Sequence, residues 1–122
     1  MQRYVVLRHE CPPSYGRPSH WDFMLEAGGA LRTWALLIAP DFSRPQPADP
    51  LPDHRLEYLQ YEGPVSGDRG TVTRWDEGTY EAVIRSDLGG DETFQLRGGR
   101  LHGRVVISGE GPATTFRYEP EA

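Results

Sequence analysis

Apolar and polar positions alternate with a period of two along much of the chain, the spacing of β-strands whose successive side chains face opposite sides. The start, "RYVVLRHE", is rich in β-branched and aromatic residues and predicts a first strand. It ends at "CPPSYGRPS", whose three prolines cannot join a ladder. "HWDFMLEA" predicts a second strand, and Gly28 and Gly29 permit a tight hairpin into a third, "ALRTWALLI". Residues 39 to 53, "APDFSRPQPADPLPD", carry five prolines without usable periodicity and read as an extended surface loop. In "HRLEYLQYEG" the spacing of Leu56, Leu59 and Gln60 fits either a short helix or an irregular strand.

Further along, "DEG" at 76 to 78 joins "TVTRW" to "TYEAVIRS", and "LGGD" leads to "TFQLR". Gly98 and Gly99 then lead to "RLHGRVVIS", and "GEGP" leads to "ATTFRYEP". About seven or eight short, mostly antiparallel strands with one optional short helix predict an all-β fold. Closure into a small barrel is favoured over a sandwich because it removes exposed edges. Trp21, Trp34 and Trp75, with Phe23, Tyr80, Phe94 and Phe116, fit its filling. The terminal "EPEA" is expected to fray.

The 122 residues suit one domain, 1–122, large enough to bury a core without disulfides or a structural metal. The lone Cys11 excludes an intrachain disulfide, the N-terminus lacks the apolar core of a signal peptide, and no apolar run approaches the ~20 residues of a membrane span. A cytoplasmic protein without membrane association is the expectation. The net charge is −5 and all thirteen basic residues are arginine. That balance argues against strong sequence-independent binding to duplex nucleic acid and leaves only weak non-specific contact.

One strand carries candidate chemistry. In "SHWDFMLE", His20, Asp22, Met24 and Glu26 share one face, and Trp21, Phe23 and Leu25 the other. His9 ends the preceding strand, so antiparallel pairing brings it towards His20 and Asp22. Two imidazoles and a carboxylate can hold one side of a divalent cation such as manganese, iron or a catalytic zinc, leaving other positions to water or substrate. The same spacing also fits partly exposed strand residues, with Asp22 paired to an arginine across the hairpin. His102 reads as a surface residue, Cys11, which borders the same loop as His9, as a free, partly buried thiol in preference to a further ligand, and "GDRGT" at 67 to 71 as an ordinary turn.

Taken together, "YVVLRH", "HWDFMLE", "GALRTWAL", "DHRLEYLQYEG" and "GTVTRWDEGTYE" resemble, in order and character, segments of the 3′-phosphoesterase domain of bacterial and archaeal DNA ligase D. The later "FQLRGGRLHGRVVI" is similar to that family's closing hairpin, so the likeness spans nearly the whole chain. The resemblance implies a small β-barrel that uses manganese to trim the 3′ ends of DNA, removing a terminal ribonucleoside and then the remaining phosphate. On matching segments it implies His9, His20 and Asp22 as metal ligands. It implies His54 and Tyr58 as the residues that touch the scissile phosphate or orient its attacker.

The chain departs from the family where phosphate would be gripped: Leu7, Met24, Ile38 and Gln46 stand where the family has a glutamine and three cations. Arg8, Arg17 and Arg55 are the candidate replacements. The expected function is a metal-dependent phosphoesterase acting on DNA 3′ ends or on a smaller phosphoester. One alternative is a catalytically weakened barrel that binds metal or docks a repair partner. Another is a non-haem iron oxygenase using His20, Asp22 and His54, for which the chain offers little room.

Overall fold

The structure is a computed structural model that describes residues 2–85 and 91–121. Nine strands run in chain order: β1 (Gln2–Glu10), β2 (His20–Ala27), β3 (Ala30–Leu36), β4 (Gln46–His54), β5 (Gly63–Pro64), β6 (Thr71–Arg85), β7 (Glu92–Gly98), β8 (His102–Ser108) and β9 (Thr115–Pro120). The spatial order β1-β2-β3-β4-β9-β8-β7-β6 closes through pairing of β6 with β1, and β5 lies outside against β6. The result is an antiparallel eight-stranded barrel with one extra strand, as the alternating pattern predicts. Among the described residues no helix is long and apolar enough to cross a membrane.

Alternation divides the apolar residues into two clusters. The barrel interior draws side chains from all eight strands, including Val6, Phe23, Trp34, Leu96, Val105 and Phe116. Burying each such side chain contributes roughly 1.5–3 kcal/mol relative to exposure. A second cluster lies on the other face of β1, β2, β3 and β6, where Val5, Leu7, Met24, Leu31 and Val72 pack beneath Leu59. Leu59 comes from the one-turn 3-10 helix Leu56–Leu59, the outcome for the segment that fitted either helix or strand. The barrel wall between β1 and β2 is therefore covered on both sides.

Three expectations need correction. Residues 46–54 of the proline-rich segment form β4 instead of a loop, pairing with β3 over most of their length and with β9 only at Gln46 and Pro47. Beyond Ala48, whose amide donates to the Thr114 carbonyl at 2.9 Å, one side of β4 has no ladder partner among the described residues, the setting in which a missing proline N–H is tolerated. The "DEG" turn does not exist, because β6 continues through it with a register shift opposite Val6 and Leu7. Gly78 is needed there for close strand approach, since a Cβ would collide with the Arg97 carbonyl. The tail is also held: Glu121 donates its N–H to the His102 carbonyl at 3.0 Å and its carboxylate accepts from Gln95 at 2.7 Å. His102 is at the surface, paired with Glu121. Most of the expected "LGGD" connection lies outside the described residues.

Asp76 shows why β6 does not turn. Its carboxylate points inward and accepts from the Tyr4 hydroxyl at 2.5 Å and from the Arg100 and Leu101 amides at 2.8 and 3.0 Å. One buried charge thus pins β1 and the β7–β8 turn to β6.

Candidate metal centre and phosphate cleft

In the antiparallel register of β1 and β2, His9 stands opposite His20 and Leu7 opposite Asp22. All four side chains share the outer face of the barrel wall. His20 and Asp22 are each only 2% exposed and His9 8%. The imidazole rings lie 4.8 Å apart, with Asp22 between them: His20 Nε2 is 3.0 Å from Oδ1 and His9 Nδ1 is 3.6 Å from Oδ2. Asp22 therefore faces histidines, not an arginine.

The outer nitrogens fix the tautomers. His20 Nδ1 donates to the Pro18 carbonyl at 2.9 Å, and His9 Nε2 donates to the Arg69 carbonyl at 2.6 Å. Carbonyls only accept, so each neutral ring carries its proton there and turns a lone pair towards the carboxylate. Asp22 Oδ1, though close to His20, receives no hydrogen bond of acceptable geometry and is a buried orphan acceptor. Two lone pairs and an anion facing each other in a desolvated wall call for positive charge at their centre. A proton on His20 satisfies one contact, whereas a divalent cation satisfies all three. Backbone carbonyls behind both rings are the usual support for imidazole ligands.

The same conflict appears in the ionisation of these groups. Burial opposes the charged form of His20, but the Asp22 contact and charge, with the Pro18 carbonyl, outweigh it and raise its pKa. Burial would raise the Asp22 pKa, yet the two imidazoles outweigh it and lower it. Cys11, on the same side as His9, lies with His9 and His20 in a group whose ligand atoms are all within 4.8 Å of one another. It is a free, partly buried thiol whose pKa is raised, by burial first and then by Asp22.

The trio opens onto a cleft of about 500 Å³ whose lining includes Leu7, Met24, His54, Tyr58, Arg17 and Arg55. His54 and Tyr58 meet edge to face at 5.8 Å between centroids. His54 Nδ1 donates to the Pro52 carbonyl at 2.9 Å, leaving Nε2 as its exchangeable position. His54 is remote from Asp22 in the sheet: it pairs with Leu31, which pairs with Glu26, four residues along β2. That separation leaves His54 outside the trio and does not assemble the ligand set of the oxygenase alternative.

The three candidate cations fare differently. Arg17 lines the cleft and is paired with Asp49 at 3.0 Å; Arg55 lines it too, largely exposed, with Glu57 at 3.4 Å. Arg8 does not line it. Adjacent to His9 on a strand, it takes the opposite face and stacks over Trp21 at 4.1 Å, so direct phosphate contact in this cleft is not available to it. Of the family departures, Leu7 and Met24 form buried apolar floor. Gln46 instead clips the chain, accepting from the Ile38 amide at 3.1 Å and donating to the Ile38 carbonyl at 2.8 Å.

Three cleft residues, Tyr15, Ser66 and Arg69, were not legible as site residues. The last two belong to the turn between β5 and β6, closed by the Val65 amide donating to the Gly70 carbonyl at 2.8 Å. Gly70 has φ +92°, and a Cβ there would collide with the Glu10 carbonyl. The glycine lets the turn press against the end of β1, which delivers the Arg69 carbonyl to His9. Glycine at 67 and 70 was the available signal, but the contact it serves is 60 positions away in sequence.

The chain matches the family described as DNA Ligase D 3′-phosphoesterase domain over residues 13–108. The match includes His20, Asp22, His54 and Tyr58 and begins after His9. It is 36% identical over 111 residues to the multifunctional non-homologous end joining DNA repair protein LigD of Mycobacterium tuberculosis, covering 85% of this chain and 14% of that protein. Identity to the multifunctional non-homologous end joining protein LigD of Pseudomonas aeruginosa is 32% over 110 residues, covering 84% of this chain and 12% of the relative. The chain thus spans about one seventh to one eighth of the length of these relatives.

Proposed function

The chain belongs to the DNA ligase D 3′-phosphoesterase domain family, and from that premise we propose that it is a metal-dependent phosphoesterase acting on the 3′ ends of DNA during repair. The single observation that carries this reading is the buried His9–Asp22–His20 array, whose tautomers aim two lone pairs at a carboxylate beside an open cleft. Manganese suits two imidazoles and a carboxylate, and the same donors accept zinc or iron. A bound divalent cation polarises a phosphoryl oxygen and lowers the pKa of a bound water.

The chain's own groups supply the rest. The barrel wall holds His9, His20 and Asp22 in fixed rotamers, so ligand geometry needs no reorganisation on binding. His54, its Nδ1 committed to Pro52, exchanges a proton at Nε2 with an attacking or leaving oxygen. Tyr58, held edge-on against His54, donates its hydroxyl to a phosphate oxygen. Substrates are a DNA 3′-phosphate, a terminal ribonucleotide or a smaller phosphoester, met in the cytoplasm and in company with repair proteins. The net charge of −5 keeps non-specific duplex binding weak.

The apolar floor of Leu7 and Met24 favours a second reading, a barrel that retains its metal but has lost much of its grip on phosphate. A manganese-dependent release assay separates the two, comparing a 3′-phosphate primer, a primer ending in a ribonucleotide and a generic phosphodiester. Release at the 3′ end that disappears in His20→Ala supports the phosphoesterase. Silence on all three substrates with metal still bound supports the weakened module.

A further inference from the structure

The turn "GDRG" is an ordinary glycine turn in sequence, yet through Arg69 it borders the site. Its backbone serves His9 through the Arg69 carbonyl. The residue also lines the same cleft, and its exposed side chain carries a cation at the rim. Among the arginines that line the cleft, Arg17 and Arg55 are each engaged by a carboxylate. Arg69 is held differently: Nε donates to the Ser66 carbonyl at 2.7 Å and Nη2 to the Ser66 hydroxyl at 3.1 Å, both neutral acceptors. Among the described residues no carboxylate pairs with it. Its charge is therefore uncompensated by any ion pair, while two hydrogen bonds already fix the plane of its fork.

We infer that Arg69 is the phosphate-gripping residue of this protein, taking over electrostatically what Leu7, Met24, Ile38 and Gln46 do not provide; this inference rests on the phosphoesterase reading. The physical case has three parts. A guanidinium held by neutral acceptors keeps its full charge for an incoming anion, whereas the charges of Arg17 and Arg55 are partly offset by Asp49 and Glu57. A fork oriented by Ser66 loses little rotamer freedom on binding, so more of the interaction remains as affinity. The Arg69 carbonyl touches His9, so the residue's own backbone ties the fork to the metal ligands.

The test uses the full chain with inorganic phosphate and a 3′-phosphate primer as probes, comparing wild type with Arg69→Ala, Arg69→Lys and Arg17→Ala. The backbone carbonyl survives each substitution at position 69, so the manganese-induced rise in melting temperature should persist in all four proteins. In Arg69→Ala, half-maximal protection by phosphate in the presence of manganese should require about 10- to 100-fold more phosphate, the loss of one charge-assisted contact. The KM for the primer should rise by a similar factor with a smaller change in kcat. Arg69→Lys should recover part of the loss and Arg17→Ala should show little. Phosphate protection in Arg69→Ala equal to wild type would overturn the assignment while leaving the phosphoesterase reading intact. Absence of phosphate protection and primer release in wild type itself, with manganese bound, would overturn both.

Discussion

Asp22→Asn separates a metal ligand from an ordinary buried ion pair, because the two roles predict opposite responses to manganese. The substitution keeps shape and removes one charge. In chelator, the introduced side-chain amide donates a hydrogen bond to one of the two lone pairs that now face the carboxylate, at the positions 3.0 and 3.6 Å away. The metal-free variant should therefore lie within about 1 kcal/mol of wild type, since a satisfied neutral pair replaces an incompletely satisfied charged one. Manganese reverses the order. At a hundred times its dissociation constant it stabilises wild type by about 2.7 kcal/mol through linkage. For 122 residues, with an unfolding entropy of about 2.1 cal/mol/K per residue, that corresponds to roughly 10 °C in melting temperature. The variant, missing its anionic ligand, should show little of this shift. Scanning calorimetry with a manganese titration reads both quantities. If Asp22 were merely part of a buried ion pair, its loss would cost about 3–5 kcal/mol, or roughly 12–20 °C, without regard to manganese. A large loss in chelator combined with an undiminished manganese shift would refute the lone-pair argument.

Other outcomes follow from the barrel's polar interior. Burial first, then the Asp76 hydrogen bond and charge, raises the Tyr4 pKa far above its ordinary value near 10. The unfolded phenol ionises above about 10 while the folded one does not, so stability falls by up to ~1.4 kcal/mol per pH unit from there upward; Tyr4→Phe should remove that share of the alkaline slope in denaturant titrations. Asp76→Ala strands the Tyr4 hydroxyl and two amides of the β7–β8 turn. It should cost about 3–5 kcal/mol by urea unfolding, with Asp76→Asn retaining part. Gln46→Arg, although it restores a family cation, should lower stability by about 2–3 kcal/mol and leave primer KM unchanged, because Gln46 serves the Ile38 backbone and does not line the cleft. A lower KM in that variant would show that position 46 can reach the substrate.

Strand alternation is a local property, and it carried far. A period of two in "HWDFMLEA" is sufficient to put His20 and Asp22 on one face and Trp21 and Phe23 on the other, and β2 runs from His20 to Ala27 as read. The glycine pair at 28 and 29 is sufficient for the hairpin. The same rule already separates Arg8 from His9, a consequence that proximity in sequence obscures. Prolines suggested a loop where β4 forms because local propensity does not report which side of a strand is free of a ladder. Glycine in "DEG" suggested a turn because the sequence does not distinguish a glycine needed for a reversal from one needed for close strand approach.

By itself, then, the chain determined an all-β barrel, its interior aromatics, the shared face of His20 and Asp22, and His9 as their neighbour across an antiparallel pair. Each of these follows from periodicity and from pairing between adjacent strands. Tertiary structure alone decided that the Arg69 carbonyl orients His9, that Arg17 and Arg55 are held by acids while Arg69 is held by Ser66, and that Gln46 faces backbone. Those facts depend on contacts between segments brought together by barrel closure and by the turn pressed against β1. A one-dimensional pattern records the side on which a residue points, whereas the charge it meets there is set by whatever part of the chain folds over it.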